Sequence, residues 1–329
     1  MQSKVSIITV NYNGKKFLKK FFDSIKNLKY QNLEIIFVDN ASNDESVEYV
    51  KKNFQKVIIV ENKENLGFAV ANIKAAKGAK GKYLFFLNND TEIDSNAISE
   101  LVKRMEENQK IGICGCKIMS YDKERHFHTG IGVDIFGYPI VWSKVFYIEG
   151  SALMIRKKLF EELGGFDLQY FMFHEDIDLA WRAQLLGYEV KAFPEAVVYH
   201  VGGGVASGEI HKGRYRSSYL RRYYSERNNI RTLLKNYQTL TLLFIIPFYF
   251  FVNLIEILIY LVMFKFKVVY LYLKAYIWNL VNLGNTFKER TKIQKSRVIS
   301  DKQLMKKMYF GSGKLFAFRI VGIPVFQRK

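Results

Sequence analysis

Cysteine is nearly missing from this chain: of 329 residues, only Cys114 and Cys116 carry thiols. One residue apart, they are too close for an ordinary disulfide, and no second pair completes a zinc site. They read as small apolar residues on a strand, in keeping with a reducing, cytosolic setting. No secretory leader is expected, because MQSKVSIITVNYNG passes straight into a β-rich run. No internal repeat is visible either. Acidic residues are scarce in one region only: residues 1–206 hold 27 Lys+Arg against 26 Asp+Glu, whereas residues 207–329 hold 23 against 5. The basic excess coincides with the most apolar stretch of the chain. Nucleic-acid binders spread their cations among aromatics without such a block, so no nucleic-acid partner is expected. An anionic membrane surface suits both features.

The length allows one large or two ordinary domains. Within the first 113 residues, strand and helix signals alternate. VSIITVNYN (5–13), LEIIFVDNAS (33–42), KVIIVEN (56–62), KYLFFLNND (82–90) and KIGICGCKIM (110–119) are apolar, β-rich runs. The first intervening stretch puts Phe17, Leu18, Phe21, Phe22, Ile25 and Leu28 on one helical face. The second holds Val47, Val50 and Phe54 behind a Ser42 or Asn43 cap, and the third, NLGFAVANIKAAKGA, is a helix opened by glycine. Strands apolar on both faces and separated by helices predict a mostly parallel, doubly wound α/β sheet.

Ligands of such sheets lie beyond the carboxyl ends of the strands. Those ends carry Asn11 and Asn13, Asp39 and Asn40, Asn65, and then Asn88-Asn89-Asp90. An Asx-rich turn before a helix near Ser95 explains the last group taken alone. Four polar strand ends together predict one shared crevice. Residues 170–204 are expected to hold a helix with Ile177, Ala180, Trp181, Leu185 and Leu186, stopping at Gly187, and then two short strands, EVKAF and AVVYH. Residues 202–213 are Gly-rich and read as mobile.

In their order and spacing, VSIITVNYNG, VDNASND, NLGFAVAN, LNNDT, GSALMIRK, GGFD, HEDIDLAWR and a late histidine resemble family 2 glycosyltransferases of the GT-A fold, above all the rhamnosyltransferase-like branch that builds polysaccharides. The resemblance runs over residues 4–204 and continues more weakly through RNNIRTLLKNY and RVISDKQL. It implies an inverting, metal-dependent transfer from a nucleotide diphosphate donor, a dTDP- or UDP-sugar, to a hydroxyl of a saccharide or lipid-linked acceptor. The chain is then divided into a transferase domain (1–206), a linker and helix (207–238) and an apolar, basic helical region (239–329).

The chemistry asks for these residue types. A diphosphate leaving group carries charge that a divalent cation neutralises, and hard oxygen ligands hold Mn²⁺ or Mg²⁺. The family's metal motif reads Asn88-Asn89-Asp90 here, so only Asp90 is charged. Asp90 is assigned to the metal, Asn88 to the ribose or the metal's water, and Asn89 to the donor. His200, at the end of AVVYH, matches the family's metal-coordinating histidine, and imidazole is acceptable to Mn²⁺. Glu175-Asp176 matches the acidic pair. Asp176 is assigned as the base that deprotonates the acceptor hydroxyl and Glu175 as the orienting partner, although acids opening a helix also favour the helix dipole.

Asp39 matches the acceptor for the N3 hydrogen of uracil or thymine, with backbone at Thr9 to Asn11 flanking the base; an Asx turn shared with Ser42 is the plainer reading. Gly67 and Asn72 match the donor-side helix start, and Gly150 and Ser151 the loop beneath the donor sugar. Arg182 is expected to pair with Asp178 rather than reach the diphosphate. His126, His128, His174 and His211 carry no assigned role.

The segment LTLLFIIPFYFFVNLIEILIYLVM (240–263) is long enough to cross hydrocarbon at about 1.5 Å per residue. Pro247 interrupts it, and Tyr249, Asn253, Glu256 and Tyr260 form one polar stripe. A single span would also export the 15 Lys+Arg of residues 265–329, against the positive-inside tendency. An interfacial helix, or a re-entrant pair completed by VVYLYLKAYIWNLVNL (268–283), keeps both basic flanks in the cytosol, so a monotopic attachment at the cytoplasmic face is expected rather than a span. The soluble alternative is a helical subdomain or a contact between copies in a homo-oligomer. Two other functions fit parts of the pattern: a polyprenyl-phosphate sugar synthase, whose acceptor needs no base, and a non-catalytic nucleotide-binding scaffold at the membrane.

Overall fold

A computed structural model describes residues 2–201, 209–211 and 214–327. The chain divides into two compact units, residues 1–131 with 145–202, and residues 132–144 with 203–329. The glycines at 202–204 and most of the stretch expected to be mobile lie outside the described residues.

In the first unit the elements run β1 (Val5–Asn11), α1 (Lys15–Lys26), β2 (Leu33–Asp39), α2 (Ser46–Asn53), β3 (Ile58–Glu61), α3 (Gly67–Gly78), β4 (Tyr83–Leu87), β5 (Thr91–Ile93), α4 (Ala97–Glu107), β6 (Ile111–Ser120) and β7 (His126–Thr129). After β8 (Gly132–Val133) and β9 (Pro139–Ile140), a hairpin of the second unit, the first resumes with β10 (Ala152–Arg156), α5 (Lys157–Glu162), α6 (Glu175–Leu185) and β11 (Glu189–His200). The sheet order is β3-β2-β1-β4-β10-β6-β11-β5, with β7 on β6. Strands β3, β2, β1 and β4 are mutually parallel, as are β6 and β11. This is the expected mostly parallel α/β sheet, modified by β10, which enters antiparallel between β4 and β6.

The apolar runs pack as their periodicity dictates. Leu18, Phe21, Phe22 and Ile25 recur at i, i+3, i+4 and i+7 and bury one face of α1, where Phe22 stacks on Phe54 at 4.2 Å. Cys114 and Cys116, with one residue between them on β6, are both buried in the core, and burial pushes their thiols up. The two strands expected from EVKAF and AVVYH are one strand, β11, whose register against β6 slips between Phe193 and Val197. Pro194 falls in that slip, where a residue without an N–H is tolerated.

The second unit continues through β12 (Glu209–His211), β13 (Arg214–Ser218), α7 (Tyr219–Asn236), α8 (Thr239–Val262), α9 (Phe266–Val281), α10 (Leu283–Ser296), α11 (Asp301–Met305), α12 (Gly313–Val321) and β14 (Val325–Gln327). Helix α8 is long and apolar enough, by length and composition, to cross a membrane. Its amphipathicity is inverted. Tyr249, Asn253, Glu256 and Tyr260 are buried, while Leu240, Phe244, Phe248, Phe251 and Leu258 are exposed. The buried stripe meets a compensated charge cluster: Arg222 lies 3.1 Å from both Glu226 and Glu256, and Lys314 lies 2.6 Å from Glu226 and 3.0 Å from Glu256. Two cations against two anions satisfy what burial would otherwise penalise.

Candidate active site

The polar strand ends of the first unit meet through a continuous set of contacts. After β4, residues Asn88–Asp90 turn, and Thr91 Oγ1 closes the turn on the Asn88 carbonyl at 2.6 Å. The chain then forms β5 instead of passing directly to a helix. Strand β5 pairs antiparallel with the end of β11, setting Thr91 opposite His200, and the Val201 N–H reaches the Asp90 carbonyl at 3.1 Å. This register brings His200 Nε2 to 3.2 Å from Asp90 Oδ1. Burial is the largest influence on His200 and pulls its pKa down, but the bond to Asp90 and the charges of Asp90 and Glu149 outweigh it, so the net shift is upward.

Asn89 donates to Asn11 Oδ1 at 2.6 Å, and Asn11 donates to Asp39 Oδ1 at 3.0 Å. Asp39 Oδ2 accepts the N–H of Ser42, three residues on, at 2.8 Å and so closes the turn after β2. That turn does not cap α2; Asp44 accepts from the Ser46 N–H instead. Thr9 is buried, and its Oγ1 has no hydrogen-bond partner among the described residues. Gly67 has φ +74°, and a Cβ there would stand 2.2 Å from the Phe171 carbonyl, so packing alone demands glycine. The Gly67 N–H is held by Asn65 Oδ1 at 2.9 Å, and the buried Asn72 amide donates to the Phe68 carbonyl at 2.9 Å. Both residues therefore have structural work of their own.

The acidic pair opens α6 immediately after two bulky residues in left-handed conformation, Phe173 (φ 67°) and His174 (φ 66°). Such residues cost about 1–2 kcal/mol each and persist where the surrounding fold requires them. Here they turn the chain so that Asp176 Oδ2 accepts the Gly150 N–H at 3.1 Å and Oδ1 accepts the Ile177 N–H at 2.8 Å. Burial, then repulsion from Glu149, raises the Asp176 pKa to about 7 despite these donors. Burial and the Asp176 charge push Glu175 well above the usual carboxylate range, and its buried Oε2 has no hydrogen-bond partner among the described residues. Arg182 pairs with Asp178 at 2.8 Å, as expected.

Sequence reasoning missed Glu149 and left His128 without a role. Glu149 Oε2 accepts from Ser151 Oγ at 3.0 Å, and His128 Nε2 lies 3.2 Å from the same oxygen. Partial burial opposes its ionisation, but His128, His200 and Ser151 together hold its pKa down at about 2. The signal, an acid directly before the Gly150-Ser151 pair, was present but has no local periodicity to mark it. Asn88 closes the ring, its N–H donating to the Ser151 carbonyl at 3.0 Å. Asp39, Asp90, Asp176 and His200 thus belong to one connected neighbourhood.

Asp90 and His200 offer a carboxylate oxygen and an imidazole nitrogen to a cation. Among the described residues no group of three His, Cys, Asp or Glu side chains forms a metal cluster. Two protein ligands nonetheless fit a hard cation whose remaining positions go to phosphate oxygens and water, and imidazole suits Mn²⁺.

Residues 6–164 match the family model described as Glycosyl transferase family 2. The chain is 25% identical over 240 residues to the O-antigen biosynthesis protein RfbC of Myxococcus xanthus, covering 66% of this chain and 19% of that protein. It is 29% identical over 190 residues to an uncharacterized glycosyltransferase of Rickettsia prowazekii, covering 54% and 58% respectively. The chain thus spans less than two thirds of either relative. Among solved structures, GalNAc-T7 with UDP, GalNAc and Mn²⁺ gives a TM-score of 0.58 at 19% identity over 71% of this chain and 48% of that one. The mannosyltransferase PcManGT from Pyrobaculum calidifontis, in complex with GDP-Man and Mn²⁺, gives 0.53 at 15% identity over 90% and 86%. These likenesses show the fold, a GT-A arrangement.

Proposed function

Because residues 6–164 match the model of glycosyltransferase family 2, we propose that this chain is an inverting, metal-dependent transferase acting in cell-surface polysaccharide synthesis. It moves a sugar from a dTDP- or UDP-sugar to a hydroxyl of a saccharide or glycolipid. The observation that carries this reading is the meeting of the Asp90–His200 pair with a buried acid, Asp176, whose proton affinity suits a base at neutral pH.

Asp176 takes the proton of the acceptor hydroxyl as that oxygen bonds to the anomeric carbon. The bond from that carbon to the diphosphate oxygen breaks, and the nucleoside diphosphate leaves with the electron pair. Attack opposite the leaving group inverts the anomeric configuration. Glu175, with one oxygen unpartnered, orients the acceptor. Asp90 and His200 would hold Mn²⁺ or Mg²⁺, which neutralises charge on the departing diphosphate. Asp39 faces the pyrimidine N3–H beside the Thr9–Asn11 backbone, Asn88 and Asn89 face the ribose side, Gly150 and Ser151 lie beneath the sugar, and Gly67 and Asn72 contribute backbone near the diphosphate.

Measuring nucleotide release from UDP-, dTDP- and GDP-sugars tests the reading. Release from a pyrimidine donor that rises when a saccharide lipid is added is the expected result. Release from GDP-sugars alone overturns the Asp39 assignment, and no release from any donor overturns transfer.

The attachment proposed is monotopic, at the cytoplasmic face. Its support is the outward apolar surface of α8 and the charged residues against the helix's inner face: a full crossing would carry Arg222, Glu226 and Lys314 toward hydrocarbon at several kcal/mol per charge. The protein is expected to float with phosphatidylglycerol vesicles at least about tenfold better than with neutral ones. Equal partitioning removes the electrostatic contribution, and failure to bind either removes the attachment.

A further inference from the structure

Glu149 is fastened at one oxygen only. Ser151 Oγ and His128 Nε2 both address Oε2, and among the described residues no hydrogen bond ends on Oε1. Because a carboxylate accepts, His128 carries its proton on Nε2; its buried Nδ1 has no partner among the described residues. The neighbours Ile148, Gly150 and Ser151 are buried, yet 41% of the Glu149 side-chain surface remains open. The residue therefore has one oxygen tied back and, among the described residues, the other without a hydrogen bond.

We propose that Glu149 is a specificity-determining residue of the transfer site, its Oε1 accepting a hydrogen bond from a hydroxyl of the sugar in transit while Ser151 and His128 hold Oε2. The assignment rests on the transferase reading. The transferred sugar is joined at its anomeric carbon to the diphosphate beside Asp90 and His200, and is attacked there by the hydroxyl above Asp176. Glu149 is within electrostatic reach of His200 on the diphosphate side and of Asp176 and Glu175 on the acceptor side. A carboxylate so placed stands beside the sugar that must bridge the two. Its chemistry also fits, since an ionised carboxylate only accepts and sugar hydroxyls are donors. Tying back one oxygen lowers the ordering cost of the contact, and a site built to bind a hydroxyl rejects the analogue that lacks it.

Calorimetry with UDP, UDP-glucose, UDP-N-acetylglucosamine, dTDP and dTDP-rhamnose tests this against a purely structural Glu149–His128 pair. Wild type is expected to bind at least one sugar nucleotide more tightly than its bare diphosphate. In Glu149→Gln that advantage falls about tenfold or more, as for a hydrogen bond to a charged group, while the affinity for the bare diphosphate stays within about twofold and so certifies the fold. Among deoxyfluoro analogues of the bound sugar, one position erases the difference between wild type and variant. His128→Gln, which loosens Oε2 without removing Oε1, gives a smaller loss than Glu149→Gln.

Equal loss for sugar nucleotide and bare diphosphate, an identical deficit on every analogue, or wild type that gains nothing from the sugar each overturns the assignment. Wild type that shows the Glu149-dependent gain but transfers no sugar overturns the transferase reading alone.

Discussion

Asp176→Asn is expected to lower kcat by about 10²–10⁴-fold, the range of a general base, while nucleotide-sugar affinity stays close to wild type. The amide keeps the size of the carboxyl and retains one oxygen for the Gly150 or Ile177 N–H, so the cleft stays shaped while the proton acceptor is lost. Wild-type kcat/KM should rise with pH through about 7 as Asp176 ionises, and a rising limb near 4 instead would exclude it. Stability runs the other way. The folded pKa is raised above the usual carboxylate value, so the native state binds its proton more tightly than the unfolded chain. That advantage is complete below about pH 4 and is lost as pH climbs to about 7. At pH 8, Asp176→Asn should therefore be the more thermostable protein, by at most about 4 kcal/mol. Thermal melts of both proteins at pH 4 and pH 8 measure this. A variant that transfers sugar at nearly the wild-type rate would remove Asp176 from the mechanism.

Chelation should abolish transfer, with recovery on adding Mn²⁺, and Asp90→Ala should reduce kcat/KM by at least about 100-fold. The charge argument gives the direction. Asp90 is the one carboxylate in the Asn88–Asp90 turn, so its removal takes away the anionic half of a two-residue donor set. His200→Ala leaves that carboxylate and should cost less. Mn²⁺ titration by calorimetry in the presence of UDP separates binding from turnover: wild type binds, and Asp90→Ala binds far more weakly. Because Asp90 and Glu149 raise the pKa of His200, a proton competes for its nitrogen, and Mn²⁺ affinity should improve as pH rises beyond the usual imidazole range. Full activity after thorough chelation, or equal Mn²⁺ binding by Asp90→Ala, would clear both residues of the metal role.

Where a property is carried by spacing along one segment, the amino-acid order was enough. The apolar faces of α1 and β1, the glycine stop after α6, the Arg182–Asp178 pair and the polar stripe of α8 all follow from periods of 3.6 or 2 and from short-range charge pairing. So did the location of the polar strand ends, since buried runs must end where polar groups can be satisfied. The partners of those groups were not legible. The Asp90–His200 contact joins residues 110 apart and exists because β5 folds back on β11. The Glu149–His128 pair joins β7 to the turn before β10.

Local sequence therefore determined which residues are polar, which faces are apolar and that an α/β sheet forms, because burial periodicity is recorded residue by residue. Tertiary packing decided that Glu149 meets His128, that β10 runs antiparallel between β4 and β6, and that the polar stripe of α8 turns inward onto Arg222 and Lys314. Hydrogen bonds and Coulomb attraction between remote side chains depend on distances that only backbone pairing sets, and no periodicity along the chain encodes them.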